Sequence, residues 1–165
     1  MNTKSHTDST ALVLREIRPS DRTQWESLYR QYADFYQSPM DGAILQRTWS
    51  WLMSPQHPQE AMVAVSATGE LLGLAHYRGY PEPLLGQEVG FLDDLFVLPS
   101  HRGGGVGRSL IAAVSSIAER RGWPLLRWIT AQDNAAARQL YDRLAQPTAW
   151  VTYELTPARP GLAPR

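Results

Sequence analysis

The chain has 165 residues, room for one domain with a real core but not for two comfortable ones. Apolar residues make up 43% and charged residues 19%, and Lys+Arg and Asp+Glu balance at 16 each, so no global field draws nucleic acid or an anionic membrane surface. Cysteine is absent, which excludes a disulfide framework, a thiol nucleophile and a Cys-based zinc site, and no segment has the length of a membrane span.

In chain order, residues 1–10 are polar without the apolar stretch of a leader, and are expected to be a disordered tail on a cytoplasmic protein. Leu12–Ile17 has strand character. Pro19-Ser20-Asp21 interrupts it, with Ser20 or Asp21 placed to cap a helix over Arg22–Tyr36. Trp25, Leu28, Tyr29, Tyr32 and Tyr36 fall at three- and four-residue steps, so one face of that helix is aromatic, as a core face or as the wall of a substrate pocket. A second helix is expected over Ala43–Met53. Ala61–Ser66 and Leu71–Tyr80, joined by Ala67-Thr68-Gly69-Glu70, read as a hairpin, and Pro81–Gln87 as a loop. A strand over Glu88–Leu98, a helix over Val106–Gly122 and a strand over Pro124–Thr130 form a βαβ unit, whose strands should be parallel neighbours. Leu110, Ile111, Val114, Ile117 and Ala118 mark the apolar face of that helix. A helix over Asp133–Leu144, capped by Asp133 or Asn134, and a last strand over Thr148–Leu155 complete the domain at 11–156, before a Pro-rich tail at 157–165. The fold class is α/β, or α+β, with a mixed sheet.

The stretch Phe91–Leu110, F-L-D-D-L-F-V-L-P-S-H-R-G-G-G-V-G-R-S-L, runs from strand through a glycine-rich loop into a helix N-terminus. Backbone N–H groups and the helix dipole favour an anion there. Two phosphate motifs fail. The P-loop would need glycine at Arg102 and lysine at Arg108, and the dinucleotide fingerprint G-x-G-x-x-G meets Arg108 at its third glycine.

What remains, Arg102-Gly103-Gly104-Gly105-Val106-Gly107 after F-V-L-P, matches [QR]-x-x-G-x-[GA] and resembles the pyrophosphate loop of the GNAT superfamily of acetyl-CoA-dependent N-acetyltransferases. Asn134-x-x-Ala137-x-x-Leu140-Tyr141 is similar to the superfamily's second cofactor motif, and the order of elements resembles the superfamily from Leu12 to Leu155. L-D-D-L-F-V-L-P-x-x-R-G-x-G-x-G looks most like the diamine acetyltransferase branch, and W-I-T-x-x-x-N-x-x-A-x-x-L-Y like small histone- or amine-acetylating members. The resemblance implies a twisted, mainly antiparallel sheet with a central splayed parallel pair, flanked by helices. It also implies acetyl-CoA as donor co-substrate and no metal, with Gly103, Gly104, Gly105, Val106 and Gly107 taking the pyrophosphate and Arg102 or Arg108 adding a charged contact. Leu95, Phe96 and Val97 would face the pantetheine, one N–H polarising the thioester carbonyl.

Acetyl transfer to an amine requires the amine to lose a proton and the departing thiolate to gain one. The resemblance makes Tyr141, seven residues and almost two helical turns after Asn134, the general acid beside the CoA sulfur; the plain alternative is a satisfied core tyrosine. Asn134 would hold the pantetheine arm or a phosphate, serve as an N-cap, or do both. Asp93 and Asp94 stand in an apolar strand, where strict alternation sends them to opposite faces: Val89, Phe91, Asp93, Leu95 and Val97 on one, Leu92, Asp94 and Phe96 on the other. The resemblance sets Asp93 where diamine acetyltransferases carry a glutamate that relays the amine proton through water. Asp93 is shorter than that glutamate, which favours the relay over direct abstraction. Asp94 would hold a cationic acceptor together with Tyr32 and Tyr36; alternatively either aspartate pairs with an arginine such as Arg127. Ala145-Gln146-Pro147 departs from the superfamily's usual Gly-aromatic pair. The reading is an N-acetyltransferase for a polyamine, diamine or amino acid, with a homodimer the implied assembly and no nucleic-acid or membrane partner. Its alternatives are a protein lysine or N-terminal acetyltransferase and, in another class, a non-catalytic acyl-CoA-binding sensor.

Overall fold

The computed structural model describes residues 12–157, so the expected tail at 1–10, and all of the expected tail at 157–165 except Pro157, lie outside the described residues. The described residues divide into two compact units that meet between Ile129 and Thr130. No helix among them is long and apolar enough to cross a membrane.

The first unit is a five-stranded mixed sheet in the order β1-β2-β3-β4-β5. Its strands are β1 (Val13–Glu16), β2 (Glu60–Val65), β3 (Leu71–Glu82), β4 (Gln87–Val97) and β5 (Leu126–Arg127). The first three pairings are antiparallel; β4 and β5 are parallel. The expected loop over Pro81–Gln87 is shorter than its composition suggested. The β3–β4 ladder runs on to Glu82↔Gln87, because Pro81 and Glu82 stay extended before the turn at 83–86.

Helices α1 (Arg22–Phe35) and α2 (Gly42–Leu52) cover one face. Trp25, Leu28, Leu45 and Trp49 pack there with Val63, Val65, Leu71, Leu74 and Phe96, the 3.6 period of the helices meeting the 2.0 period of the strands. Asp41 caps α2 through Ile44 N–H at 2.8 Å. Asp21 occupies the N-cap position of α1 but does not cap it. Its carboxylate is taken by Arg15, at 2.6 and 2.8 Å, and by the Arg18 N–H at 2.7 Å. Helix α3 (Val106–Arg121) covers the other face and buries the five residues expected of it. Trp123 follows and lies flat against the sheet, because a Cβ at Gly79 or Gly90 would come within 2.6 Å of its ring.

In the second unit α4 (Ala135–Tyr141) is shorter than the helix expected over Asp133–Leu144. The strand expected over Thr148–Leu155 is absent. The stretch makes no ladder among the described residues, and Trp150 is 84% and Tyr153 88% exposed. A β-type pattern becomes a strand only where a neighbour takes its N–H and C=O groups.

Candidate active site

The site begins with a defect in β4. On β3, His76 pairs with Asp94 and Tyr77 with Leu92, which leaves Asp93 as the extra residue of a β-bulge. His76 and Tyr77 project to opposite faces, so Asp94 lies on the α1 face and Leu92 on the α3 face. Asp93 pairs with Arg78, two residues from His76 and on the same face as it. The expected separation of the two aspartates is therefore corrected: the bulge resets the alternation and brings both to one side. It also splits the expected set, with Val89 and Phe91 opposite Tyr80 and Arg78, and Leu95 and Val97 on the α3 face opposite Ala75 and Gly73.

Asp94 is the centre of a buried network. Its Oδ2 lies 2.8 Å from His76 Nδ1 and accepts the Tyr29 hydroxyl at 3.1 Å. His76 Nε2 accepts from Trp25 Nε1 at 2.9 Å. Burial pushes the Asp94 carboxyl up, but hydrogen bonds from His76, Tyr32 and Tyr29 outweigh it and hold the group below the ordinary carboxylate range. Burial and the neighbouring Asp94 charge raise both Tyr29 and Tyr32, so these hydroxyls stay protonated at neutral pH. Tyr32 stacks on Tyr29 with centroids 5.9 Å apart and meets Tyr36 edge-on at 5.1 Å, so the aromatic stripe of α1 continues from the core to its exposed end.

Asp93 is more open. Arg78 Nε reaches both its oxygens at 3.2 Å, and Gln59 Nε2 donates to Oδ2 at 3.1 Å. The arginine considered from sequence, Arg127, instead bonds Tyr80 and Glu82.

Past the bulge, β4 has no ladder partner on its second side among the described residues. Among the described residues β5 pairs with β4 at Gly90↔Leu126 and Phe91↔Arg127. Leu98 N–H donates to Leu72 on β3, so alternation turns the N–H groups of Val97 and Leu95 towards the open side. This is the expected splay. It opens towards a 3-10 turn at Pro99–His101 and then the glycine loop. Gly103 and Gly105 adopt φ +80° and +85°, with nothing within 4 Å of a built Cβ, which leaves the loop backbone exposed at the start of α3. Such a surface fits a pyrophosphate. Arg102 does not reach outward over the loop. Its Nε donates to the Val97 carbonyl at 3.0 Å, and its guanidinium lies 5.6 Å from the Phe35 ring and 5.5 Å from Phe96. Arg108 stands on the first turn of α3.

In the second unit, Asn134 accepts the Ala137 N–H at 3.3 Å and so caps α4, while its amide donates to Thr130 at 3.3 Å. Tyr141 is the last residue of that helix. A cavity of about 590 Å³, lined by Glu16, His57, Gln59, Glu60, Tyr77 and Arg121 among others, lies at the C-terminal end of α3, away from the glycine loop. Sequence reading did not single out Trp25 as a hydrogen-bond donor, nor His76, Gln59 or Arg78. The available signal was a histidine and an arginine inside the apolar run Leu71–Tyr80.

Residues 23–145 match the model of the acetyltransferase (GNAT) family. The chain is similar to the D-amino-acid N-acetyltransferase HPA3 of Saccharomyces cerevisiae, at 31% identity over 87% of this chain and 89% of that protein. It is similar in structure to a ribosomal-protein-alanine N-acetyltransferase of Brucella melitensis, with a TM-score of 0.76 and 25% identity over 88% of this chain and 99% of that one. It shares its fold with the aminoglycoside N-acetyltransferase AAC(6')-Iy in complex with CoA, at a TM-score of 0.78 and 22% identity over 93% and 99% of the two chains. The chain belongs to the GNAT acetyltransferase family and is an acetyl-CoA-dependent N-acetyltransferase.

Proposed function

We propose that this acetyltransferase acts on the primary amine of a small cationic acceptor, a polyamine, diamine or amino acid, by direct attack within a ternary complex. The observation that carries this reading is the β4 bulge, which sets two carboxylates on one face beside the open edge of the strand. The similarity to a D-amino-acid N-acetyltransferase supports an acceptor of this size.

Acetyl-CoA supplies an activated thioester carbonyl. The N–H groups of Leu95 and Val97, with Phe96 between them, would orient the pantetheine arm and polarise that carbonyl. The loop Gly103, Gly104, Gly105, Val106 and Gly107 would cradle the pyrophosphate, with Arg108 adding charge. Arg102 acts by holding the Val97 carbonyl and the end of α1 beside the loop. Asp93 orders a water that takes the amine proton to solvent. Its oxygens are already engaged by Arg78 and Gln59, which agrees with a relay rather than direct abstraction. Asp94, already bonded to His76 and Tyr29, contributes its negative charge near the acceptor, and Tyr32 and Tyr36 line the approach. As the C–N bond forms and the C–S bond breaks, Tyr141 protonates the departing thiolate and recovers its proton from water. Asn134 would serve the cofactor as well as the helix. No acyl-enzyme is needed, and no cysteine is present to form one.

Free-thiol release from acetyl-CoA is the assay, over polyamines, amino acids and lysine- or alanine-initiated peptides. Turnover on the small amines is expected. Turnover confined to peptides would replace this reading with a protein acetyltransferase, and silence across the panel would favour an acyl-CoA sensor.

A further inference from the structure

Arg78 has more hydrogen-bonding capacity than its ion pair uses. Only Nε faces Asp93, at 3.2 Å from each oxygen. Among the described residues Nη1 and Nη2 make no hydrogen bond, and the side chain is 38% exposed. The guanidinium is nevertheless held in place. It lies 5.7 Å from the centroid of Tyr80 and 5.4 Å from that of Phe91, two rings in edge contact at 6.1 Å. Arg127 fixes the Tyr80 hydroxyl in turn. A planar fork held over aromatic faces, partly exposed and with neither terminal nitrogen hydrogen-bonded among the described residues, suits a carboxylate.

Its neighbour complements it. Asp93 accepts from Arg78 at both oxygens and from Gln59 at Oδ2, and Gln59 is anchored on the Tyr77 carbonyl at 3.3 Å. An ionised carboxylate offers about four acceptor positions. Three are used, and the one left is on Oδ1, next to the arginine fork. A cation seat and an anion seat thus share one ion pair, 25% exposed on the carboxylate side.

We propose that Arg78 binds the acceptor's carboxylate while Asp93 receives its ammonium, so that the substrate class is α-amino acids with a free carboxylate. This rests on the amine-acceptor reading above and narrows it. An α-amino acid carries its two charges two bonds apart, which is what adjacent seats require. A diamine would present a second ammonium to the guanidinium, and a simple amine would leave the fork empty; both are disfavoured. No group is transferred to either side chain: Arg78 binds and orients, and Asp93 seats the ammonium before the water it orders takes the proton to solvent.

The test compares an amino acid with its amide and with the amine that lacks the carboxyl carbon, for instance phenylalanine, phenylalaninamide and phenethylamine, in both hands where chirality exists. Glycine, alanine and putrescine complete the panel. The free acid should be preferred in kcat/KM by about 10- to 100-fold, as expected for loss of a charged hydrogen-bonded contact. In Arg78→Gln the acid-to-amide preference should collapse towards one, with the change in the acceptor KM and the KM for acetyl-CoA held. Arg78→Lys should recover part of it, as a point charge lacking the fork. Equal use of acid and amide by the unsubstituted protein, or a preference that survives in Arg78→Gln, would reduce Arg78–Asp93 to a structural ion pair and leave the amine-acceptor reading standing. Failure of every amine would overturn both.

Discussion

The indole Nε1 of Trp25 lies 2.9 Å from Nε2 of His76, and an indole N–H can only donate. His76 Nε2 is therefore the acceptor, and the ring proton sits on Nδ1, 2.8 Å from Asp94. One buried histidine thus joins α1 to the bulge of β4 and fixes which way each hydrogen bond runs. Nitrogen-detected NMR should find the Nδ1–H tautomer. Trp25→Phe leaves Nε2 buried without a donor and should cost about 1–3 kcal/mol in urea unfolding, over the packing change. A variant as stable as the parent would contradict this assignment.

Asp94 makes stability depend on pH in a defined direction. Its folded carboxyl is held below its ordinary value, so the unfolded chain binds the proton more readily. The stabilisation is complete above the unfolded value, about 3.9, and is lost as pH falls through the folded one. Asp94→Asn should therefore be less stable than the parent at neutral pH, with the gap closing below about pH 4. Asp21, lowered chiefly by its bond to Arg15, should act in the same sense. Urea midpoints measured across that range check both; a gap that stays constant would contradict them.

The glycine loop separates a folding effect from a binding effect. Gly105 is left-handed with open space around it, so Gly105→Ala adds backbone strain without a clash, about 1–2 kcal/mol. The larger change should be in the KM for acetyl-CoA, since the strained loop must present its N–H groups to the pyrophosphate. Steady-state kinetics with saturating acceptor read this; an unchanged KM would remove the loop from the cofactor site.

Tyr141→Phe removes one hydroxyl. In the proposed mechanism that hydroxyl gives the thiolate its proton, so kcat should fall by about 10²- to 10⁴-fold while the KM for acetyl-CoA changes little. Full turnover in the variant would exclude Tyr141 as the general acid.

The helices, the glycine loop and the hairpin were legible because each carries a local signal: apolar residues at helical spacing, capping residues, and glycine where φ is positive. The bulge was not. Asp93 and Asp94 look alike in sequence, and only the pairing of His76 with Asp94 and Tyr77 with Leu92 shows that the alternation resets between them. Register is a property of two strands, so the Arg78 partner of Asp93 and the His76 partner of Asp94 were equally hidden. Thr148–Leu155 failed for the complementary reason. Its alternation is β-like, but a ladder needs a second strand, and the sequence does not say whether one is in place.

The central claim is that the acceptor amine attacks the donor directly. Initial rates of thiol release with acetyl-CoA and acceptor both varied test it most directly. Double-reciprocal plots that intersect, with thiol released only when acceptor is present, are the predicted result. Parallel lines, or thiol release independent of acceptor, would contradict it.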